Sequence, residues 1–273
     1  MALALILSSY VAATAIGGGA QQLVLAAHGI EPLLVPTVIY GRSPARNAHG
    51  RPTEPELFAG LLSDVEAEGR LPLVRLVLTG YFASPEQVEA AAQLIERLRA
   101  RPGDRVLVLV DPVMGDAPDG LYVQPAVARA VATRLVPLAD WITPNIWELA
   151  YISNLPTHTM DQALAAARTL AQSVLVTSVP VSDDEIGLLC VPPSGAALIA
   201  HERAPLAPNG TGDLVSASFA AFLLKGHDPT LAARYAGGVV LEAVIASVGD
   251  NLPVVALGER LITPLVEVRT VRI

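Results

Sequence analysis

What most constrains this chain is an alternation. Short apolar runs at 2–7, 33–40, 73–78, 105–110, 140–143 and 174–177 are separated by other segments. Among these, 57–68, 85–100, 124–135 and 161–172 have apolar residues spaced three and four apart. A strand buried on both faces reads as a continuous apolar run, whereas a surface helix shows a stripe of period 3.6. Strand, helix and strand in succession make the strands parallel, because a parallel connection must cross the sheet. The expectation is an α/β fold in three layers: a central, mostly parallel β-sheet flanked by helices on both faces. Two later runs, 186–191 and 197–201, alternate like an antiparallel pair around the turn Pro193-Ser194-Gly195. The segment 231–248 reads as a last helix, with Gly237-Gly238 permitting close approach to a neighbour. Neither a repeat nor a convincing linker interrupts the pattern, so residues 1–273 are expected to form a single domain.

Composition narrows the partners. Apolar residues make up 52% of the 273, yet no uninterrupted run reaches the roughly 18 that a membrane span needs. Lys225 is the only lysine and the net charge is −8 without a basic stripe, which argues against nucleic acid and membrane surfaces. Cys190, the single cysteine, has no partner for an intramolecular disulfide, and its setting IGLLCV reads as a buried strand. The apolar start lacks the positive charge of a secretion signal and reads as a first buried strand, so a cytoplasmic protein is expected. The five histidines, at 28, 49, 158, 201 and 227, are scattered and read as surface residues rather than metal ligands.

The stretch 207–226, APNGTGDLVSASFAAFLLKG, carries the chemistry. Gly210 and Gly212 flank Thr211 and lead into a helical pattern that stops at Gly226. Glycines let the backbone turn tightly and gather N–H groups at one point, at which the helix aims its positive end. Asp213 stands beside that anion hole. Two negative charges side by side suit simple phosphate binding poorly. They make sense if the carboxylate faces a hydroxyl that attacks a phosphate, which points to a small-molecule kinase. The plain alternative is a turn followed by a helix cap.

Other candidates fall at strand ends, where an open α/β sheet binds its ligands. Ser8 and Ser9 follow the first run, and Asp111 opens DPVMGD directly after 105–110. Asn145 and Glu148 are three apart after the run at 140–143, and Thr177-Ser178 end another. Gly17-Gly18-Gly19 fails the G-x-G-x-x-G spacing, since Gln22 stands where a glycine is required. A helix start is expected there, and a nicotinamide-dependent oxidoreductase has little support. The polar, arginine-containing stretch 41–53 reads as an active-site flap loop.

Taken in chain order, TGYFAS, DPVMGD, LYVQP, ITPNIWEL, VLVTS and GTGDL resemble the pyridoxal kinases of the ribokinase-like superfamily. The resemblance implies ATP-dependent phosphorylation of the 5′-hydroxymethyl of pyridoxal, pyridoxine or pyridoxamine by a homodimer. It implies that Asp213 is the base and that Gly210, Thr211 and Gly212 hold the transferring phosphoryl group. Asp111 and Glu148 would serve Mg²⁺ and its waters, with Asn145 nearby. Thr143, Thr177 and Ser178 would contact ATP phosphates or a monovalent cation such as K⁺. Ser9 would touch the pyridine ring and Tyr122 would lie by the nucleotide. The chain departs from the family where Tyr10 replaces a histidine and where Gly41-Arg42-Ser43-Pro44 replaces a Ser-Asn-His-Thr run. Both places shape the vitamin pocket, so a hydroxymethylpyrimidine-type kinase and a non-catalytic pyridoxal-binding relative stay open.

Overall fold

A computed structural model describes residues 2–43, 48–101, 106–204, 207–249 and 251–273. The first apolar run becomes β1 (Leu3–Val11), followed by α1 (Gly18–Ala27), β2 (Glu31–Tyr40), β3 (Gly50–Pro52) and α2 (Pro55–Ala67). Then come β4 (Val74–Thr79), α3 (Pro85–Arg99), β5 (Leu107–Val110) and the small ribbon of β6 (Gly115–Asp116) and β7 (Gly120–Leu121). The middle of the chain supplies α4 (Pro125–Ala130), β8 (Trp141–Ile142), α5 (Ile146–Ser153) and α6 (Met160–Ala167). The remainder forms β9 (Ser173–Pro180), β10 (Glu185–Val191), β11 (Ala197–Glu202), α7 (Thr211–Leu224), α8 (Pro229–Ile245), α9 (Val254–Leu257) and β12 (Arg269–Arg272).

One sheet runs β12-β11-β10-β9-β8-β5-β4-β1-β2-β3. The pairs from β2 across to β9 are parallel, and the outer ones at both edges are antiparallel. Alternation along each central strand feeds two separate cores. Leu3, Leu5, Leu7, Val108, Val110, Val174 and Val176 join the layer of α2, α3 and α6. Ala4, Ile6, Leu76, Leu78, Leu109 and Leu175 join that of α1, α7 and α8. Fully burying one such side chain contributes roughly 1.5–3 kcal/mol, which explains why these strands are apolar on both faces. Gly237 and Gly238 do allow close packing. A Cβ on Gly237 would sit 3.2 Å from Ile199, and one on Gly238 would sit 3.1 Å from Pro264.

Strand order reverses between β1 and β4, and ligands of open α/β sheets bind outside the carboxyl ends at such a switch point. Several expectations need correction here. β1 continues to Val11, so Ser8 and Ser9 lie inside the strand at a register irregularity rather than after it. Part of the expected flap, Gly50–Pro52, is a strand paired with β2, because Gln87 ties its base down. The Gln87 amide donates to Thr37 O at 2.8 Å and to Thr53 O at 2.7 Å, and accepts from Ala83 N. Residues 44–47 of that stretch lie outside the described residues. His28 is buried rather than on the surface, edge-on to Phe222 with its Nε2 against Leu261 O at 3.0 Å. Burial, with Lys225 nearby, pushes its pKa down to about 4. The C-terminal strand β12, which closes the sheet edge, lies beyond the segments that the periodicity picked out.

Candidate active site

The anchor is α7. From Leu214 to Phe222 every residue is buried, and Phe219 packs edge-on against Trp141 of β8 at 4.8 Å. Buried on every side along this span, the helix can only be a central one. Its start is therefore held rigidly. Gly210, the residue before the helix, has φ 95°, and a Cβ there would lie 2.9 Å from Ala15 O. Among the described residues no side chain caps α7, so the first-turn N–H groups remain available to a ligand.

Asp213, the third helical residue, turns its Oδ2 to accept the Gly17 N–H at 2.7 Å. Gly17 in turn has no room for a side chain. Its φ is 62°, and a Cβ would fall 2.7 Å from the Ser9 carbonyl oxygen and closer still to the Ser9 hydroxyl. Thus Ser9, Gly17 and Asp213 interlock at the end of β1. A cleft of about 240 Å³ between Thr14, Ile16, Arg42, Ser43, Val248 and Asn251 opens beside this loop.

Asp111 follows β5, with its N–H donating to Thr79 O at 3.2 Å, and is buried. Burial raises its carboxyl well above the usual range. Repulsion from Glu148 and then Asp213 adds to this, while the hydroxyls of Ser216 and Thr143 pull the other way. The pull from Thr143 is weak, since its buried Oγ1 makes no hydrogen bond of good geometry. Burial pushes Glu148 up to about 7 and Asp213 up to about 6, the latter against the stabilising Gly17 N–H. Among the described residues, none of the three carboxylates has a basic partner within ion-pair distance.

Asn145 and Glu148 form a reciprocal cap at the start of α5. Asn145 Oδ1 accepts the Glu148 N–H at 2.9 Å, and Glu148 Oε2 accepts the Asn145 N–H at 3.0 Å. Glu148 Oε1 also accepts from Met114 N at 2.8 Å and Gly115 N at 3.4 Å, and Asn145 Nδ2 donates to Gly115 O. These bonds hold the loop after Asp111, in which Val113 has φ 37°. A branched residue at positive φ is strained and persists only where its surroundings over-determine it. Glu148 is therefore a structural brace as well as a charge.

The other expected residues sit on the same edge. Thr143 is buried at the end of β8. Thr177 is drawn toward Asn145 by its N–H bond to Pro144 O at 2.8 Å. Ser178, exposed, has φ 58° where β9 and β10 shift register. Tyr122 is about half exposed, its N–H bonded to Met114 O, and burial of its phenol with Glu148, Asp111, Asp116 and Asp213 nearby raises its pKa. Gly17 and Ser216 were not identified as site residues from the sequence. The Gly17–Gly19 run was the available signal, and it means close packing rather than a dinucleotide turn.

Together these residues offer an open seat for an anion, a proton acceptor beside it, and the two buried carboxylates of Asp111 and Glu148. Mg²⁺ is typically held by one or two carboxylates plus phosphate oxygens and waters, and Asp111 with Glu148 suits that chemistry. Among the described residues no group of three or more His, Cys, Asp or Glu side chains forms a cation cage.

The family model described as phosphomethylpyrimidine kinase matches residues 20–253. A pyridoxine/pyridoxal/pyridoxamine kinase of Bordetella avium is 41% identical over 77% of this chain and 74% of its own length. The chain belongs to the pyridoxal kinases. A pyridoxal kinase of Rubrobacter xylanophilus is 33% identical across 94% of this chain and 93% of its own. The fold agrees as well. The structure of pyridoxal kinase from Entamoeba histolytica superposes with a TM-score of 0.93 at 22% identity, covering 100% of both chains. That of the Leishmania donovani enzyme with ADP and pyridoxine gives 0.91 at 23% identity, covering 99% of each. The α/β ribokinase-like fold follows from these superpositions. Among the described residues no helix is long and apolar enough to cross a membrane.

Proposed function

We propose that this chain transfers the γ-phosphoryl group of ATP to the 5′-hydroxymethyl of pyridoxal, and of pyridoxine and pyridoxamine. The observation that carries this reading is Asp213 at the third position of an uncapped, glycine-started helix, oriented by the Gly17 N–H. Phosphoryl transfer has a loose transition state, so positioning and neutralisation of oxygens dominate over basicity. Asp213 accepts the hydroxyl proton as the bond to phosphorus forms and the bond to the leaving ADP oxygen breaks. The N–H groups of Gly210, Thr211 and Gly212 receive the migrating group. Asp111 and Glu148 would hold Mg²⁺ through its waters, and that ion neutralises phosphate charge when bound. Thr143, Thr177, Ser178 and Asn145 face the ATP phosphates or a monovalent cation such as K⁺, and Tyr122 borders the nucleotide. Ser9 contacts the pyridine ring, and the neighbouring cleft accommodates the vitamer.

The same reading makes residues 1–273 one kinase domain working in the cytoplasm as a homodimer. The matching family model is described as phosphomethylpyrimidine kinase, so a pyrimidine acceptor is the second reading to test, with hydroxymethylpyrimidine as its probe. ADP formation would be measured against pyridoxal, pyridoxine, pyridoxamine and hydroxymethylpyrimidine, with and without Mg²⁺. Mg²⁺-dependent turnover fastest with a B6 vitamer is expected. Turnover confined to the pyrimidine, or tight vitamer binding without ADP release, would overturn the assignment.

A further inference from the structure

Behind the site, four side chains bury polar atoms that have no hydrogen-bond partner among the described residues. They are the Gln21 amide (Oε1 and Nε2), Ser8 Oγ, Thr79 Oγ1 and Ser218 Oγ. Gln21, on α1, is 0% exposed and Ser8, on β1, is 1% exposed. Two of these groups converge on one point. A Cβ on Gly80, just past β4, would lie 2.4 Å from Ser8 Oγ and 3.6 Å from Gln21 Nε2. Ser8 lies on β1 and Gly80 directly follows β4, the adjoining strand at the switch point, and Gly80 N donates to Leu7 O at 2.9 Å.

A buried amide with neither end bonded is costly, since it loses its water partners and gains none. A leucine or methionine of similar size would fill the same space at lower cost. An amide and a hydroxyl meeting at one buried spot are instead the donors and acceptors that fix an internal water, which needs two to four polar partners. We propose that Gln21 and Ser8, converging beside Gly80, form a binding site for an internal water. Gln21 N–H bonds to Gly17 O at 3.2 Å, so this water would support the turn that presents Gly17 to Asp213. The ligand class is solvent itself, with Gln21 Oε1 accepting and Nε2 donating around it.

The two possibilities for this spot differ in sign. If water is bound, Gln21→Leu strands the Ser8 hydroxyl and lowers the melting temperature by several degrees. Adding Ser8→Ala then costs less than it does alone, because the pocket has become apolar. If the spot is dry, Gln21→Leu removes two unpaired polar atoms and leaves the melting temperature unchanged or raises it, which overturns the proposal. A high-resolution crystal structure of the unmodified protein decides independently of either variant. Ordered density within hydrogen-bond distance of both Ser8 Oγ and the Gln21 amide supports the site. A dry contact, or a direct Gln21–Ser8 bond, overturns it.

Discussion

Two helices begin on the same edge of the sheet, and each carries an acid at its third residue, yet the two starts are opposites. At α5, Asn145 caps the helix and Glu148 folds back onto the cap while bracing the loop after Asp111. At α7, Gly210 has no side chain to offer, and the shorter Asp213 reaches outward to Gly17 on a different element. One start is closed and consumes its own donors. The other stays open, and its acid is oriented without being used up. Similar local sequences, an acid three residues past a cap, thus become scaffold in one place and chemistry in the other. What separates them is whether the cap residue has a hydrogen-bonding side chain.

The comparison can be broken most severely at the open start. Asp213→Asn keeps the size of the side chain but removes the proton acceptor, and turnover in an ADP-release assay is expected to fall by about 10²-fold or more. Its melting temperature should stay within a few degrees of the parent; near-normal turnover would remove Asp213 from its role. At the closed start the damage should be to stability. Glu148→Ala deletes the acceptor of three backbone N–H groups, at a cost of about 3 kcal/mol in urea unfolding, and loosens the 111–116 loop.

Acidity sharpens the contrast further. Glu148 is raised from 4.5 to about 7 in the folded state, so the stability tied to its protonated form is fully present below pH 4.5 and lost as pH rises through 7. Glu148→Gln does not titrate but offers only one of the two acceptor oxygens, so it should start less stable than the parent protein and recover up to roughly 3 kcal/mol of that deficit between pH 4.5 and 8 in metal-free melts. A difference that does not change with pH would show that Glu148 is ionised throughout. With Asp213 pushed up to about 6, kcat/KM should rise with pH through that value and then level. The smallest effect expected is from Asn145→Ala, about 1 kcal/mol for a lost cap, read by thermal unfolding.

Much of this architecture was legible from periodicity. The continuous runs that became β1, β4, β5 and β9 are apolar because two cores press on them, and burial on both faces is what such runs report. The amphipathic stripe of α3, with Val88, Ala91, Ile95 and Leu98 inward, appeared as expected. Less visible were the short, late and edge elements. β3 is held by Gln87, and β12 pairs with β11 after a segment with little pattern of its own. His28 read as a surface residue because its burial depends on Phe222 and Leu261, both far along the chain.

Local sequence alone determined the sheet type, the glycine-started helix and the acids at the strand ends, because periodicity and turn chemistry act over a few residues. Only the tertiary structure decided that Gly17 would meet Asp213 across 196 positions of chain, that Glu148 would turn inward, and that Gln21 would be buried with its amide unpaired among the described residues. Such pairings depend on which strands become neighbours at the switch point, and that follows from packing the whole sheet between its two helical layers.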